Sequence, residues 1–419
     1  MPPIRLNGAS GYWLRLTLIL TALWLFRAKS HQAAHWRGTY FSMAANLSWS
    51  SIRAWQMPVD TAAVNRFDEL PERGVSAERQ RTYRFQPAPA DRLTNYVAMQ
   101  TGYGYVCALA RRLLPFAGDS VAVVGLQAAV HLGFCLWILS LLPTNRLRWA
   151  FTLLYAANPL IVRYVTFDFY YFWQAIPSFL LVIGRLTKRS APVHGLWQGP
   201  LLGLVFATRP STGLSQLLLG GTYLARRRYR LLILTAAGAA LTGWLLYRPV
   251  ASAHWRTIYV GIAAYRNPHQ NTLSDVAMYR LYKQKTGLPY RYVGTDPMQD
   301  ARLARVLRAE VMRILEADPL LFVRNAVINT LLAFSPGYVV GGGDWLNYTL
   351  ALLGTLVLSW LLWCRQYLYV GAVLAAVGTF TPYYPPIPAY LYGAYLPLAM
   401  GLIRAVAATA PRLARAWRG

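Results

Sequence analysis

Charge is scarce in this chain, and acid is scarcest of all. Only 14% of its residues are charged, and Asp plus Glu number 15 against 42 Lys plus Arg. A soluble chain usually carries about a quarter charged residues, so much of the folded surface must face something other than water. Cysteine is sparse as well. Cys107, Cys135 and Cys364 stand far apart, in or beside apolar stretches, and read as small buried hydrophobes rather than as a disulfide or a metal site. Nucleotide-binding loops are missing: there is no GxxxxGK[ST], no GxGxxG after a strand and no HExxH. That absence argues against an ATP-driven pump. No acid sits in the middle of an apolar run, whereas ion-coupled transporters usually keep ionisable groups there. No internal repeat and no low-complexity tract is visible.

What the chain has in abundance is apolar length. Hydrophobic residues make up 56%, the mean hydropathy is +0.29, and several runs approach the roughly 20 residues needed to cross a bilayer. The first run ends in Trp24, Leu25, Phe26 and Arg27 rather than in small residues, so it reads as a retained helix and not a signal peptide. The expected fold is an all-α, polytopic transmembrane helical bundle. About ten spans are expected, over 11–27, 119–142, 148–166, 169–186, 193–209, 211–225, 231–248, 345–363, 367–381 and 388–408. The chain then divides into a first helix (1–27), a first outer loop (28–118), a six-helix block (119–248), a second outer segment (249–344) and three final spans with a basic tail (345–419).

A net charge of +27 suggests nucleic acid at first sight. The distribution says otherwise. Basic residues cluster in short connections: Arg146 and Arg148, then Arg185, Lys188 and Arg189, then Arg226, Arg227, Arg228 and Arg230, then Arg365. That is the positive-inside pattern, with both termini cytoplasmic, membrane lipids as partners and no nucleic acid. All fifteen acids fall in segments placed outside or at the outer ends of helices, so the chemistry is expected on the non-cytoplasmic face. Within the first outer loop, stretches rich in Trp, Tyr and Arg, including 96–114, read as interfacial helices. In the second, Leu303, Leu307, Val311, Ile314 and Leu315 recur at helical spacing over 302–316. The run 320–334 reads as interfacial or re-entrant, and Gly341, Gly342 and Gly343 as a hinge.

Outer carboxylates over a basic, aromatic surface suit a transferase acting on a lipid-linked donor. A carboxylate deprotonates an acceptor hydroxyl or holds a divalent ion, cations hold a phosphate, and aromatic faces stack on sugars. Four short motifs carry a resemblance. Gly102-Tyr103-Gly104 leads to Phe116-Ala117-Gly118-Asp119-Ser120 ahead of an apolar helix. Ala157-Asn158-Pro159 closes a helix before Asp168. Gly203 to Ser211 contains Arg209-Pro210-Ser211, and Tyr383-Tyr384-Pro385-Pro386 precedes the last helix. Together they resemble the GT-C superfamily of membrane glycosyltransferases in its bacterial members.

The resemblance implies a polyprenyl-phosphate-sugar donor, a glycan, lipid or protein acceptor, residence in the bacterial inner membrane, and transfer on the periplasmic or extracellular face. It also implies a catalytic acid in the first outer loop. The stretch where many members place an acidic pair here reads Arg37-Gly38-Thr39-Tyr40, and the earliest acids are Asp60 and Asp68. The candidate catalytic carboxylates are therefore Asp60, Asp68, Asp168 and Asp275. The candidate phosphate-binding groups are Arg209, Arg163 and His269. Each has a plainer reading: loop charges for Asp60 and Asp68, helix N-caps for Asp168 and Asp275, headgroup snorkelling for Arg209, and pairing with Asp168 for Arg163. No ligand spacing implies a cofactor; a divalent cation held by His254, His269 and Asp275 stays open. The competing readings are an O-antigen polymerase or ligase using a diphosphate-linked glycan, and a lipid or solute transporter.

Overall fold

The computed structural model describes residues 9–29, 37–47, 82–86, 100–187, 192–247, 253–290 and 297–416, so Asp60 and Asp68 lie outside the described residues. These form 17 α-helices and no strands. They are α1 (Ala9–Lys29), α2 (Arg37–Leu47), α3 (Thr101–Leu113), α4 (Asp119–Leu141), α5 (Asn145–Phe151), α6 (Pro159–Val165), α7 (Ile176–Leu186), α8 (His194–Thr208), α9 (Gly213–Ala225), α10 (Tyr229–Leu246), α11 (Ala253–Gly261), α12 (Asp275–Thr286), α13 (Pro297–Ala317), α14 (Pro319–Leu332), α15 (Gly343–Trp363), α16 (Tyr367–Val377) and α17 (Tyr392–Ala416).

Three of these helices, α4, α10 and α15, are long and apolar enough to cross a membrane, consistent with a membrane protein. Shorter apolar helical stretches cover Gly11–Phe26, Pro319–Leu332 and Tyr367–Val377. Several expected spans are broken. The run 148–166 is α5, a π-helical turn over Thr152–Ala156, and then α6. Pro159 has no N–H to continue the ladder, and Asn158 takes over as cap, its Oδ1 accepting from the Leu160 N–H at 2.9 Å. The run 169–186 opens as a 3-10 helix, Tyr170–Ala175, before α7 begins with Pro177 in its first turn.

The stretches taken as interfacial pack inside the protein: Tyr40, Phe41 and Met43 of α2 and Tyr103, Val106 and Ala110 of α3 are buried. Gly102 of α3 lies so close to the Leu204 carbonyl and the Thr208 N–H of α8 that no side chain would fit between them. An apolar stripe facing another helix gains more from packing than from lying at a surface. The run 320–334 is mostly the helix α14. α14 is continuous and pairs with α15, Gly354 abutting the Leu331 carbonyl. The glycine hinge is present as expected, with Gly341 and Gly343 both at φ +76°.

The helices bury three apolar clusters. The largest runs through α1–α10, α16 and α17. A second lies in the 253–321 region, where Leu303, Leu307, Val311 and Ile314 of α13 meet Met278 and Tyr282 of α12 and Tyr259 of α11. This is the stripe expected over 302–316. A third, around Tyr265, Leu332 and Tyr338, joins that region to α14 and α15. Tyr384 packs against both the first and the second cluster.

The tightest seam is between α8 and α10, which run parallel. Gly195, Gly199 and Gly203 recur every four residues along one face of α8. An added Cβ at Gly199 would stand 2.7 Å from the Thr235 carbonyl and 2.9 Å from Gly238 Cα, and one at Gly203 2.6 Å from the Ala239 carbonyl. Small residues at this spacing let backbones touch, which is how helices associate without a hydrophobic drive. The seam sets both helix ends level, so that Phe206 meets Tyr247, their ring centroids 5.2 Å apart.

The basic connections gather at the opposite end. Arg226 donates to the Gly184 carbonyl, Arg228 to that of Thr187 at 3.2 Å, and Arg148 to that of Leu142 at 2.9 Å. Each carbonyl belongs to the end of a helix, where the last C=O groups lack partners. We expect Gly199→Ala to destabilise the protein by about 1–3 kcal/mol through overpacking, read as lowered thermal stability in detergent. Gly221→Ala, where an added Cβ meets nothing, should leave it unchanged.

Candidate functional site

Arg209 ends α8. Its own N–H still donates to the Val205 carbonyl at 2.8 Å, but Pro210 forces the residue before it out of helical conformation, and its backbone is extended at φ −150°, ψ 94°. The Thr212 hydroxyl and N–H both donate to the Arg209 carbonyl, at 2.9 and 3.0 Å. The turn is rigid, so the side chain is aimed. The guanidinium carbon lies 4.5 Å from the centre of the Tyr390 ring and 5.3 Å from that of Tyr170, within reach of cation–π attraction. Its Nε is buried with no hydrogen-bond partner, and no ion pair to it occurs among the described residues. Tyr171, Tyr383 and Tyr384 complete the surround. Headgroup snorkelling does not describe this residue, because the guanidinium turns inward onto aromatic rings.

The two tyrosine-bearing segments are tied together. Gln174, in the 3-10 helix, donates to the carbonyls of Tyr171 and Ala389, each at 3.2 Å. Gly393 lets the start of α17 abut the Gln174 carbonyl.

Asp168 lies behind this wall. It is 3% exposed, close to Tyr103 and Cys107 of α3. The Phe169 N–H donates to the Phe167 carbonyl at 2.8 Å, a three-residue turn with Asp168 at its centre. Gln127 of α4 holds that turn through the carbonyls of Val165 and Phe167, at 3.1 and 2.8 Å. Asp168 is therefore not the expected helix N-cap: the 3-10 helix is preceded by Phe169, with no side-chain cap. Arg163 is exposed in the last turn of α6.

Asp275 faces the Arg209 recess from the other side. The N-cap reading fails here too, by one residue. Ser274 is the cap, its hydroxyl accepting from the Val276 N–H at 3.3 Å, which leaves Asp275 as the first helical residue of α12 with its carboxylate solvent-exposed. Burial by surrounding atoms pushes the Asp275 pKa up, and the Arg256 guanidinium pulls against that rise. A group open to water yet crowded by protein lies in a concave recess. Tyr384 and Tyr390 sense both the Asp275 carboxylate and the Arg209 guanidinium, so these two rings lie near the acid and near the cation.

His269 is placed elsewhere. Its Nε2 lies 3.9 Å from Asp318, in a loop organised by Asn267, whose Nδ2 donates to the carbonyls of Ile262, Tyr265 and Gln270, each at 2.9 Å. No group of three His, Cys, Asp or Glu able to hold a metal occurs among the described residues, so His254, His269 and Asp275 do not assemble as a cation site. Cys107, Cys135 and Cys364 are free.

A cavity of about 570 Å³ is lined by Phe206, one helical turn before Arg209 in the sequence, with Gln216 of α9, Gly243 and Trp244 of α10 and Tyr247 at its end. Gln216 is the one strongly polar side chain in its wall, and its amide already donates to the Leu202 carbonyl at 3.0 Å. The cavity is apolar, and Trp244 at its mouth is 75% exposed. Sequence reasoning named Arg209 and Asp275 as candidates but did not name Tyr390, Arg256 or this cavity. The tyrosine density of 383–395 was the available signal.

No protein-family model matches the chain, and neither a curated protein nor a solved structure shows a match to it.

Asp119, in the Gly118-Asp119-Ser120 motif, is structural. It is 1% exposed and accepts from Arg111 at 2.7 and 2.8 Å and from the Phe85 N–H at 2.8 Å. It thereby pins the 82–86 segment to α3 and α4. Breaking a buried pair leaves one charge uncompensated, at a cost of about 3–5 kcal/mol. Asp119→Asn should therefore lower thermal stability sharply, while a folded fraction keeps its ligand binding.

Proposed function

We propose that this chain is an integral membrane glycosyltransferase that moves a sugar from a polyprenyl-phosphate donor to an acceptor on the non-cytoplasmic face. One observation carries the reading: the Arg209 guanidinium lies against the Tyr170 and Tyr390 rings with no carboxylate paired to it among the described residues. A half-buried cation without an acid beside it suits an anion, and a planar fork whose Nε donor is orphaned suits a phosphate oxygen. The apolar cavity one helical turn away, reached past Phe206, supports a donor whose phosphate is attached to a hydrocarbon chain.

Asp275 supplies the second half of the chemistry. A carboxylate with a raised pKa is a better base than an ordinary surface acid, and this one opens onto the recess that Arg209 closes. In the proposed displacement, Asp275 takes the proton of the acceptor hydroxyl as its oxygen attacks the anomeric carbon. The bond from that carbon to the phosphate oxygen breaks, and Arg209 stabilises the charge left on the phosphate. Asp60 and Asp68, from the first loop, are the remaining candidates for the base, with Asp168 supporting the wall behind Tyr170.

Arg209→Ala should weaken binding of a polyprenyl-phosphate donor in liposomes without loss of fold, and Arg209→Lys should restore only part of it, because a point charge replaces a fork. Asp275→Asn should lower turnover by about 10²–10⁴-fold with donor affinity nearly intact. Wild-type donor affinity in Arg209→Ala would reject the reading. Preference for a diphosphate-linked glycan would favour an O-antigen polymerase or ligase.

The proposed orientation has its own check in intact cells. A cysteine replacing Arg228 should be protected from an impermeant thiol reagent, and one replacing Lys285 should label. The reverse pattern would move the chemistry to the cytoplasmic face.

A further inference from the structure

The helix-closing turns at the basic end share an unusual backbone. Among the described residues only two other than glycine have positive φ, and both are arginines, Arg227 at +55° and Arg365 at +58°. Each stands directly after a helix C-cap, Arg226 for α9 and Cys364 for α15. The bonding is the same in both turns. The N–H groups of Arg227 and Arg228 donate to the carbonyls of Leu224 and Tyr223, and those of Arg365 and Gln366 to Leu362 and Leu361, all at 2.9 Å. Left-handed positions of this kind favour glycine, because a Cβ crowds the backbone there. The other positive-φ positions among the described residues are indeed glycines: Gly287, Gly337, Gly341 and Gly343. Strain accepted twice for the same side chain points to a use for that side chain.

The fold brings the two turns to one end of the molecule. The Thr379 hydroxyl donates to the Ser211 carbonyl at 3.3 Å, which joins the end of α16 to the start of α9, and the two helices pack together. From that joint α9 takes about 21 Å to reach Ala225 and α16 about 18 Å to reach Tyr367, so both arginine turns lie at similar depth. Arg226 donates to the Gly184 carbonyl and Arg228 to that of Thr187 at 3.2 Å, which adds the last turn of α7 with its exposed Arg185. Arg404 of α17 belongs to the same end, since Gly401, one turn earlier, lies against Tyr369 and Leu361. These hydrogen bonds all go to neutral carbonyls and leave the charges standing. No Asp or Glu occurs between Asp168 and Asp275 or after Asp344, the stretches that supply this end. Exposed apolar side chains flank the cations, Leu224 and Tyr229 beside Arg227, Trp363 and Tyr367 beside Arg365.

We infer that this end binds the phosphate headgroups of anionic phospholipids, with Arg227 and Arg365 as its principal contacts. A phosphate supplies the negative charge that these stretches lack, and a guanidinium meets it with a planar pair of donors. Basic sites between helix ends fit such headgroups. The exposed tyrosine and tryptophan side chains beside the arginines suit the level at which headgroups meet hydrocarbon, and that setting selects a lipid over a free anion. The inference is independent of what Arg209 does and of which face of the membrane this end meets.

The strain itself provides the test. Thermal unfolding of the full chain in detergent is followed with added phosphatidylglycerol, phosphatidylcholine or inorganic phosphate. Phosphatidylglycerol should raise the midpoint by about 2–4 °C over phosphatidylcholine, and inorganic phosphate should not. In the double variant Arg227→Gly, Arg365→Gly the lipid-free midpoint should hold or rise, because glycine relieves both turns. Its phosphatidylglycerol increment should fall by half or more. Arg302→Gln with Arg305→Gln, which removes two exposed arginines of α13, should keep the full increment. An undiminished increment in the glycine variant overturns the inference, and so does an equal loss in the α13 variant, which would reduce the effect to net charge. Stabilisation by inorganic phosphate equal to that by phosphatidylglycerol overturns the assignment to lipid. If the glycine variant is unstable, Arg227→Asn with Arg365→Asn, which also tolerates such turns, decides by the same criterion.

Discussion

A guanidinium drawn partly out of water must be met by something, and among the described residues Arg209 is met by the Tyr170 and Tyr390 faces rather than by an acid. Much of the architecture follows from delivering it there. Pro210 ends α8 and turns the chain. The glycine seam with α10 holds α8 at a fixed height. The Tyr170 and Tyr390 rings arrive from segments more than two hundred residues apart in sequence, bound to each other through Gln174. Loosen any of these and the cation loses its enclosure.

The two ends of the molecule handle charge in different ways. At the basic end, arginines are spent on helix termini: Arg148, Arg226 and Arg228 satisfy carbonyls that have no partner within their own helices. The positive charge there closes the helix ends. At the Arg209 end, cations and acids are kept apart by rings. Tyr384 and Tyr390 lie near both Arg209 and Asp275, and Arg256 pairs with Asp300. Tyr384 also joins the main core to the cluster of α11, α12 and α13, so the partition between cation and acid coincides with the junction of two separately packed units.

The helical class, the apolar runs and the segregation of basic turns were legible in the sequence because each is local: a hydrophobic stretch or a cluster of arginines says the same thing wherever the chain goes. The stripe Leu303, Leu307, Val311 and Ile314 was legible for the same reason, since helical periodicity needs no knowledge of what it faces. Span continuity was harder to read. Composition across 148–166 is uniformly apolar, and the single ring of Pro159 decides the break. Burial was harder still, because an amphipathic helix such as α3 carries the same pattern whether its partner is a lipid surface or, as here, α8.

By itself, then, the sequence determined an all-helical chain with apolar helices, its cations gathered in short turns, and it offered Asp60, Asp68, Asp168, Asp275, Arg209, Arg163 and His269 as candidates without ranking their surroundings. Only the tertiary structure decided that Arg209 is enclosed by Tyr170 and Tyr390, that Asp275 looks into the same recess, that Asp119 is locked to Arg111, and that His269 belongs to Asp318. The physical reason is range. Helix formation and membrane partition depend on neighbours a few residues away, whereas the state of a charge depends on whatever the fold brings within a few ångströms of it, and no local pattern records that.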